Sequence, residues 1–207
     1  LERLPKEVSI LELGCGNGEL PLQLSRKKHL GFYLGLDFSS PLLELAQKIN
    51  QQIVQKSQLQ IQFQTADLAA PDWDAGLPEN KFELVLAFAV LHHIPGMQLR
   101  RHILRKVRRL LDFNGLFIHS EWQFLNSPRL VARIQPWSTL GLSELEVDPG
   151  DYLLDWRYGG SGLRYVHFFQ VEELQQLAET SGFQVVETFY SDGLGGHLSL
   201  YQTWKAK

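Results

Sequence analysis

Cysteine is almost missing: Cys15 stands alone in 207 residues. A single thiol excludes an internal disulfide framework and a multi-cysteine zinc site, and fits a reducing, cytoplasmic setting. No apolar run approaches the roughly 20 residues that a bilayer-crossing helix needs, so no membrane partner is expected. The opening stretch LERLPKEVSI has the form of neither a signal peptide nor a transit peptide, and a start at Leu1 reads as a trimmed N-terminus. A charge excess is lacking too. Twenty basic against 23 acidic residues leave a formal net charge of −3, so any RNA binding must come from a local basic patch or from a partner subunit. Internal repeats and low-complexity tracts are absent.

What remains is an ordinary globular composition, 44% hydrophobic and 21% charged, on a length that suits one α/β domain. Residues 8–13 (VSILEL) form a short apolar run that meets a glycine-rich turn, with a helical stretch at 19–26. Residues 32–36 (FYLGL) end at Asp37, after which Leu42, Leu45, Ile49 and Ile53 recur at helical spacing. LQIQFQ alternates from Leu59 and leads to Asp67, then to a loop punctuated by Pro and Gly. FELVLAF (82–88), a helix over 98–111 and GLFIHS (115–120) complete the alternation, which predicts a parallel sheet with helices on both faces. The rhythm breaks over 121–170, which reads as an insertion or lid. It resumes with a helix at 171–181 and strands near 184–190 and 197–205.

The central motif is Glu12-Leu13-Gly14-Cys15-Gly16-Asn17-Gly18, at the carboxyl end of the first strand. Small residues there let the backbone turn tightly and approach a ligand that a Cβ would block. Cys15 reads as a packing residue in that turn. Asp37, at the end of the second strand, is placed to accept ribose hydroxyls, which dinucleotide enzymes also require, so the glycines and Asp37 leave both cofactor classes open. Asp67, ending the third strand in TADLA, is placed to accept from an adenine amino group, with Leu68 beside the ring. His92 and His93 are adjacent and share no helix face, and no carboxylate stands at a metal-binding spacing nearby, so no metal is expected. One of the pair packs and the other borders the cofactor mouth, a place given to His92.

The order ELGCGNG, LGLDFS, TADL, FELVLAFAVLHHI resembles the class I S-adenosylmethionine-dependent methyltransferases over residues 8–120. The resemblance implies a Rossmann-like seven-stranded, mostly parallel sheet ordered 3-2-1-4-5-7-6, in a single domain over 1–207 with 121–170 as a substrate lid. It implies S-adenosyl-L-methionine as cofactor, bound by Glu12, Gly14, Gly16, Asn17, Gly18, Asp37, Phe38, Asp67, Leu68, Ala87, Phe88, Ala89 and His92.

Two stretches of the lid, DYLLDW (151–156) and RYVHFF (164–169) followed by VEELQQL, resemble the tRNA methyltransferases that esterify a carboxymethyl group on wobble uridine, including those fused to AlkB-type dioxygenases. Asp155 stands where that family has proline, Val166 where it has tyrosine, and Gly196-His197 where it has Asn-Trp. The resemblance implies tRNA as substrate and a small zinc-binding activator subunit as partner. A carboxylate is ionised at neutral pH and needs no general base, only placement and exclusion of water. Arg164 is the expected clamp and Arg157 the second candidate, with Tyr165 and His167 orienting the acceptor. A phenol or amine acceptor would instead want a base, for which His167 or His92 would serve. The aromatic-rich lid, including Tyr158, equally suits a small carboxylic acid, or serves as packing for an irregular segment. A non-catalytic cofactor-binding subunit is the third reading, and the intact glycines, Asp37 and Asp67 speak against it. Arg101, Arg105, Arg108 and Arg109 lie opposite the apolar stripe of the 98–111 helix, either as a phosphate-binding patch or, by preference, as a solvated face.

Overall fold

A computed structural model of the chain describes residues 8–26, 30–56, 60–78, 81–157 and 160–207; Leu59 and Tyr158, named above, lie outside them. Strand and helix alternate as the apolar periods predict: β1 Val8–Leu13, α1 Glu19–Arg26, β2 Leu30–Asp37, α2 Ser40–Lys56, β3 Gln60–Thr65, β4 Phe82–Phe88, α3 Met97–Leu110 and β5 Leu111–Trp122. A short helix α4, Pro128–Val131, then precedes β6 Ile134–Gln135, β7 Asp151–Trp156 and β8 Gly162–His167. The chain finishes with α5 Val171–Thr180, β9 Phe183–Ser191 and β10 Ser199–Ala206.

The main sheet has seven strands in the order β3-β2-β1-β4-β5-β10-β9. Because β6 to β8 form a separate sheet, β9 and β10 are the sixth and seventh strands of the main one, and the order is the expected 3-2-1-4-5-7-6. β10 runs antiparallel to both its neighbours, and the other pairings are parallel. Side chains alternate across a strand, so each central strand feeds two cores. Leu11, Leu13 and Val85 pack with Ile103, Leu104 and Val107 of α3 and with Leu174 and Leu177 of α5. Ile10, Leu84 and Leu86 point the other way, onto Leu24 of α1. Helices therefore cover both faces. No described helix is long and apolar enough to cross a membrane.

The segment read as irregular is in part a three-stranded antiparallel sheet ordered β6-β7-β8. β7 and β8 pair in a register that sets Asp151 against His167 and Leu154 against Arg164. Phe124, Leu154 and Val166 form a small core beneath it. β5 also runs beyond its expected limits, from Leu111 to Trp122, and delivers Glu121 and Trp122 into this region.

Part of the arginine-rich helix is engaged within the fold. Arg100 is buried and its Nε donates to Ile94 O; Arg108 donates to Gly182 O and Lys207 O; Lys106 and Arg109 both meet Asp74. These groups cap carbonyls and pair with an acid, while Arg105 stays exposed and Arg101 Nε has no hydrogen-bond partner among the described residues, so the expected patch is reduced to those two.

Candidate active site

Strands β1 to β4 all end at one edge of the sheet, where the chain leaves each strand and side chains no longer pack between layers. A cleft of about 430 Å³ opens there, lined by Gly14, Asp37, Phe38, Asp67, Leu68 and Ala89 together with Leu36, Ala66, Ala69, Val90, His93, Ile94 and Pro95. Its size and mostly apolar wall suit a small organic ligand held by a few polar groups.

The glycine turn is built against β2. Cys15 N donates to Leu36 O, and Gly16 N donates to Asp37 Oδ2 at 2.9 Å. Asp37 Oδ1 accepts from Ser39 N at 2.9 Å. Asp37 therefore braces the loop with one lone pair on each oxygen and keeps the others for a ligand. Gly14 has φ +69°, and a Cβ there would stand 2.6 Å from Val90 Cγ2. Only bare backbone fits at that point of the cleft wall. Ala89, on the opposite wall, holds φ +56°, and its N–H is taken by Ser120. A non-glycine residue in that region carries strain of about 1 kcal/mol or more, which the fold sustains beside the cleft. Asp67 Oδ1 accepts from Ala69 N, its other oxygen has no partner among the described residues, and Phe38 is 77% exposed at the rim.

Several residues expected at the cofactor stand elsewhere. Glu12 is buried, accepts a hydrogen bond from Tyr33 Oη and has its carboxyl pushed up to about 7 by burial, against the lowering effect of that bond. Gly18 packs on α2, where a Cβ would meet Ala46 and Asn50 at 2.8 Å, and Asn17 faces solvent. Ala87 belongs to the core and Phe88 packs against Tyr201. His92 requires a correction. Its ring is fully buried with Nδ1 held by Glu121 at 3.0 Å, and the cleft wall belongs to His93.

Glu121 is the feature sequence reading missed. It accepts from His92 Nδ1, from His92 N and from His119 Nδ1, and these bonds hold its carboxyl below the usual range although burial opposes them. The His119/Glu121 alternation on β5 was visible, but its meeting with His92, 29 residues away, was not. His93 lies with its ring 4.4 Å from that of His92, and its Nδ1 is 3.1 Å from the Tyr165 carbonyl on β8. That carbonyl can only accept, so Nδ1 donates. Burial, chiefly, together with His92 and Arg164 lowers the His93 pKa to about 4.

The acceptor-handling residues divide. Tyr165 Oη donates to Asp151 Oδ1 at 2.6 Å and accepts from Arg100 Nη2 at 2.8 Å. His167 is buried between Asp151 at 2.6 Å and Glu173 at 2.9 Å. Tyr165 and His167 therefore tie β7 and β8 to α3 and α5, and, like Arg164, they are not among the residues that line the cleft. Arg157 is also not a clamp: it is exposed at the surface and paired with Asp155, which Arg133 shares. Arg164 differs. It is half-buried, its guanidinium lies 3.8 Å over the Trp156 ring, and no acid pairs with it among the described residues. No group of side chains able to hold a metal ion occurs among the described residues.

A family model described as a methyltransferase domain matches residues 1–188. The chain belongs to the methyltransferase-domain family. It is 28% identical over 184 residues to a putative methyltransferase of Encephalitozoon cuniculi, spanning 88% of this chain and 73% of that one. To a protein-lysine N-methyltransferase of Saccharomyces cerevisiae it is 28% identical over 130 residues, 59% of this chain and 54% of the relative. To the tRNA (carboxymethyluridine(34)-5-O)-methyltransferase of Schizosaccharomyces pombe it is 24% identical over 208 residues, 92% and 79% of the two chains. The fold is that of a solved S-adenosylmethionine-dependent methyltransferase from Methanosarcina mazei, with a TM-score of 0.74 at 19% identity over 99% and 95% of the chains. The protein is an S-adenosylmethionine-dependent methyltransferase. Its cleft fits that cofactor by its own geometry: a bare-backbone wall at Gly14, spare carboxylate lone pairs at Asp37, and an Asp67 oxygen with no partner among the described residues, beside Leu68 and the exposed Phe38 ring.

Proposed function

We propose that the enzyme methylates a carboxylate oxygen, and that the carboxylate is the carboxymethyl group of a wobble uridine in tRNA. The observation that carries the carboxylate is Arg164: a half-buried cation with no acid partner among the described residues, on the strand whose Tyr165 carbonyl holds His93 at the cleft wall. Burial and the neighbouring Arg133 already lower its pKa, so an anion that docks there gains a partner that the fold has left vacant. The cofactor supplies a methyl made electrophilic by its sulfonium, and a carboxylate accepts it without a base because it is ionised at neutral pH. Asp37 and Asp67 hold the cofactor, Arg164 orients the acceptor, and the β6-β7-β8 sheet acts as a lid that keeps water from the reacting atoms.

The tRNA acceptor draws support from the S. pombe relative and from the pairing of the two lid stretches, DYLLDW and RYVHFF, as one hairpin. A further hollow of about 670 Å³, lined by Gln123, Asn126, Tyr190 and His197 among others, lies where β5 ends and β10 begins and is large enough for a ring. A small carboxylic acid is the second reading. It is favoured by the net charge of −3 and by the engagement of Lys106, Arg108 and Arg109 of α3 within the fold. On the tRNA reading, the missing basic surface comes from a partner such as a small zinc-binding subunit.

The test is transfer of labelled methyl to tRNA bearing carboxymethyluridine, with and without a candidate partner, beside a panel of small carboxylic acids. A wobble-position ester is expected. Esters of small acids with none on tRNA would transfer the assignment to the second reading, and no ester of either kind from cofactor-binding protein would refute the carboxylate.

A further inference from the structure

We propose that His93 is a second acceptor-binding residue, which takes a proton on Nε2 when a carboxylate docks beside Arg164 and releases it once the carboxylate has become an ester. This deepens the carboxylate reading above and rests on it.

The ring has one atom free to do this. Nδ1 donates to the Tyr165 carbonyl, and that carbonyl is an acceptor in every protonation state. Any proton that comes and goes on His93 therefore does so at Nε2, on a ring that lines the cofactor cleft. The tautomer is fixed by lid backbone, so the imidazole is oriented before the acceptor arrives.

The charges around it are arranged to respond. Arg164 on β8 acts against protonation, as does His92 on the adjoining turn; Glu121 on β5 acts weakly in favour, and burial outweighs it. Asp37 and Asp67 are the carboxylates of the same cleft. With no acceptor bound, His93 is neutral at physiological pH. A docked carboxylate acts in two ways together: it neutralises the field of Arg164 and places a negative charge in the cleft. Both favour the imidazolium, and a carboxylate within about 4–6 Å raises such a pKa by about 1–3, from about 4 to about 5–7, so uptake is greatest in mildly acid solution. The proton comes from solvent. Nε2–H then donates a charge-assisted hydrogen bond to the acceptor. A methyl ester has no charge, so the proton returns to solvent and the product loses that bond. The pair thus distinguishes substrate from product by charge, although the two differ by a single methyl.

Proton uptake is measurable without turnover. Carboxymethyluridine, as the nucleoside or in an anticodon stem-loop, is titrated by calorimetry into protein saturated with S-adenosylhomocysteine, in buffers of different ionisation heat. At pH 5.5 wild type should take up between about 0.2 and 0.9 of a proton per carboxylate bound, as its pKa moves from about 4 to about 5–7, falling towards zero at pH 8. The methyl ester of the same ligand should bind more weakly and without uptake at either pH. H93Q should bind the carboxylate with no uptake, and its KM for the acceptor should rise about 10-fold with a smaller change in kcat. Carboxylate binding without uptake at pH 5.5, or equal uptake with the ester, overturns the inference and leaves the carboxylate reading standing. If neither the nucleoside nor the stem-loop binds or is methylated, the carboxymethyluridine acceptor fails and this proposal fails with it. The ester arm needs only wild-type protein, so the outcome does not depend on H93Q folding.

Discussion

Single residues in the cleft separate cofactor binding from transfer. Asp37 has both carboxylate oxygens in use by backbone N–H groups and still has lone pairs to offer, so Asp37→Ala removes ligand contacts and loosens the Gly16 turn together. Hydrogen bonds to a charged group are worth about 1.5–3 kcal/mol each, and affinity for S-adenosylhomocysteine should fall about 100-fold or more by calorimetry. Unchanged affinity would show that the ribose assignment is wrong. Arg164 sits on the second sheet, outside the glycine turn and both aspartates. Arg164→Ala should therefore bind S-adenosylhomocysteine within about twofold of wild type while kcat/KM for the carboxylate acceptor drops roughly 100-fold. Parallel losses of affinity and turnover would place Arg164 in the cofactor site or in stability instead.

At the scale of elements, the second sheet hangs on a helix residue. Arg100 projects from the apolar side of α3, at helical spacing from Ile103, Leu104 and Val107, and reaches Tyr165, Asp151 and Glu173. Arg100→Met keeps the stem and removes the charge, leaving Asp151 with Tyr165 Oη, His167 and the Asp148 N–H but without its guanidinium. Breaking one partner of a buried ionic cluster is strongly destabilising, by about 3 kcal/mol or more. Hydrogen exchange should show β7 and β8 opening faster than β1 and β4; equal acceleration everywhere would mean that Arg100 supports the whole fold and not the lid in particular. These same elements mark the limits of what the chain revealed in one dimension. β1 and β4 were legible because buried parallel strands are continuous apolar runs, and Asp37 and Asp67 because acids at strand ends are conspicuous. β7 and β8 were not, because their stability comes from pairing with each other and from Arg100, His167 and Glu173, which are distant in sequence. The start of β5 was missed because Asp112, Phe113 and Asn114 are exposed and read as a turn. Arg100 was given no role in the sequence, although its spacing to Ile103 and Val107 places it on the buried face of α3. His92 and His93 are chemically identical neighbours, and only Glu121 and the Tyr165 carbonyl, both far along the chain, decide which packs and which faces the cleft.

Across the whole molecule, two buried groups set opposing responses of stability to pH. Glu12 has a folded pKa raised from 4.5 to about 7, so between those values the folded state holds a proton that the unfolded state releases. Its contribution is complete below about 4.5 and is lost as pH rises through 7. His93 is lowered from 6.5 to about 4, so the unfolded state binds the extra proton; its contribution is complete above about 6.5 and is lost as pH falls through 4. Over roughly pH 4.5–6.5 the two slopes have opposite sign and similar span, and they offset one another. Glu121, held low by His119 and His92, acts below that window, where its stabilisation is lost as acid protonates it. Glu12→Gln keeps an acceptor for Tyr33 Oη and removes the falling slope, so its urea midpoint should climb with pH between 4.5 and 6.5 more steeply than that of wild type. His93→Asn removes the rising slope and should make the midpoint decline over the same range. Parallel midpoint curves for wild type and both variants would show that neither group titrates as its surroundings dictate, and would remove the neutral starting state on which proton uptake by His93 depends.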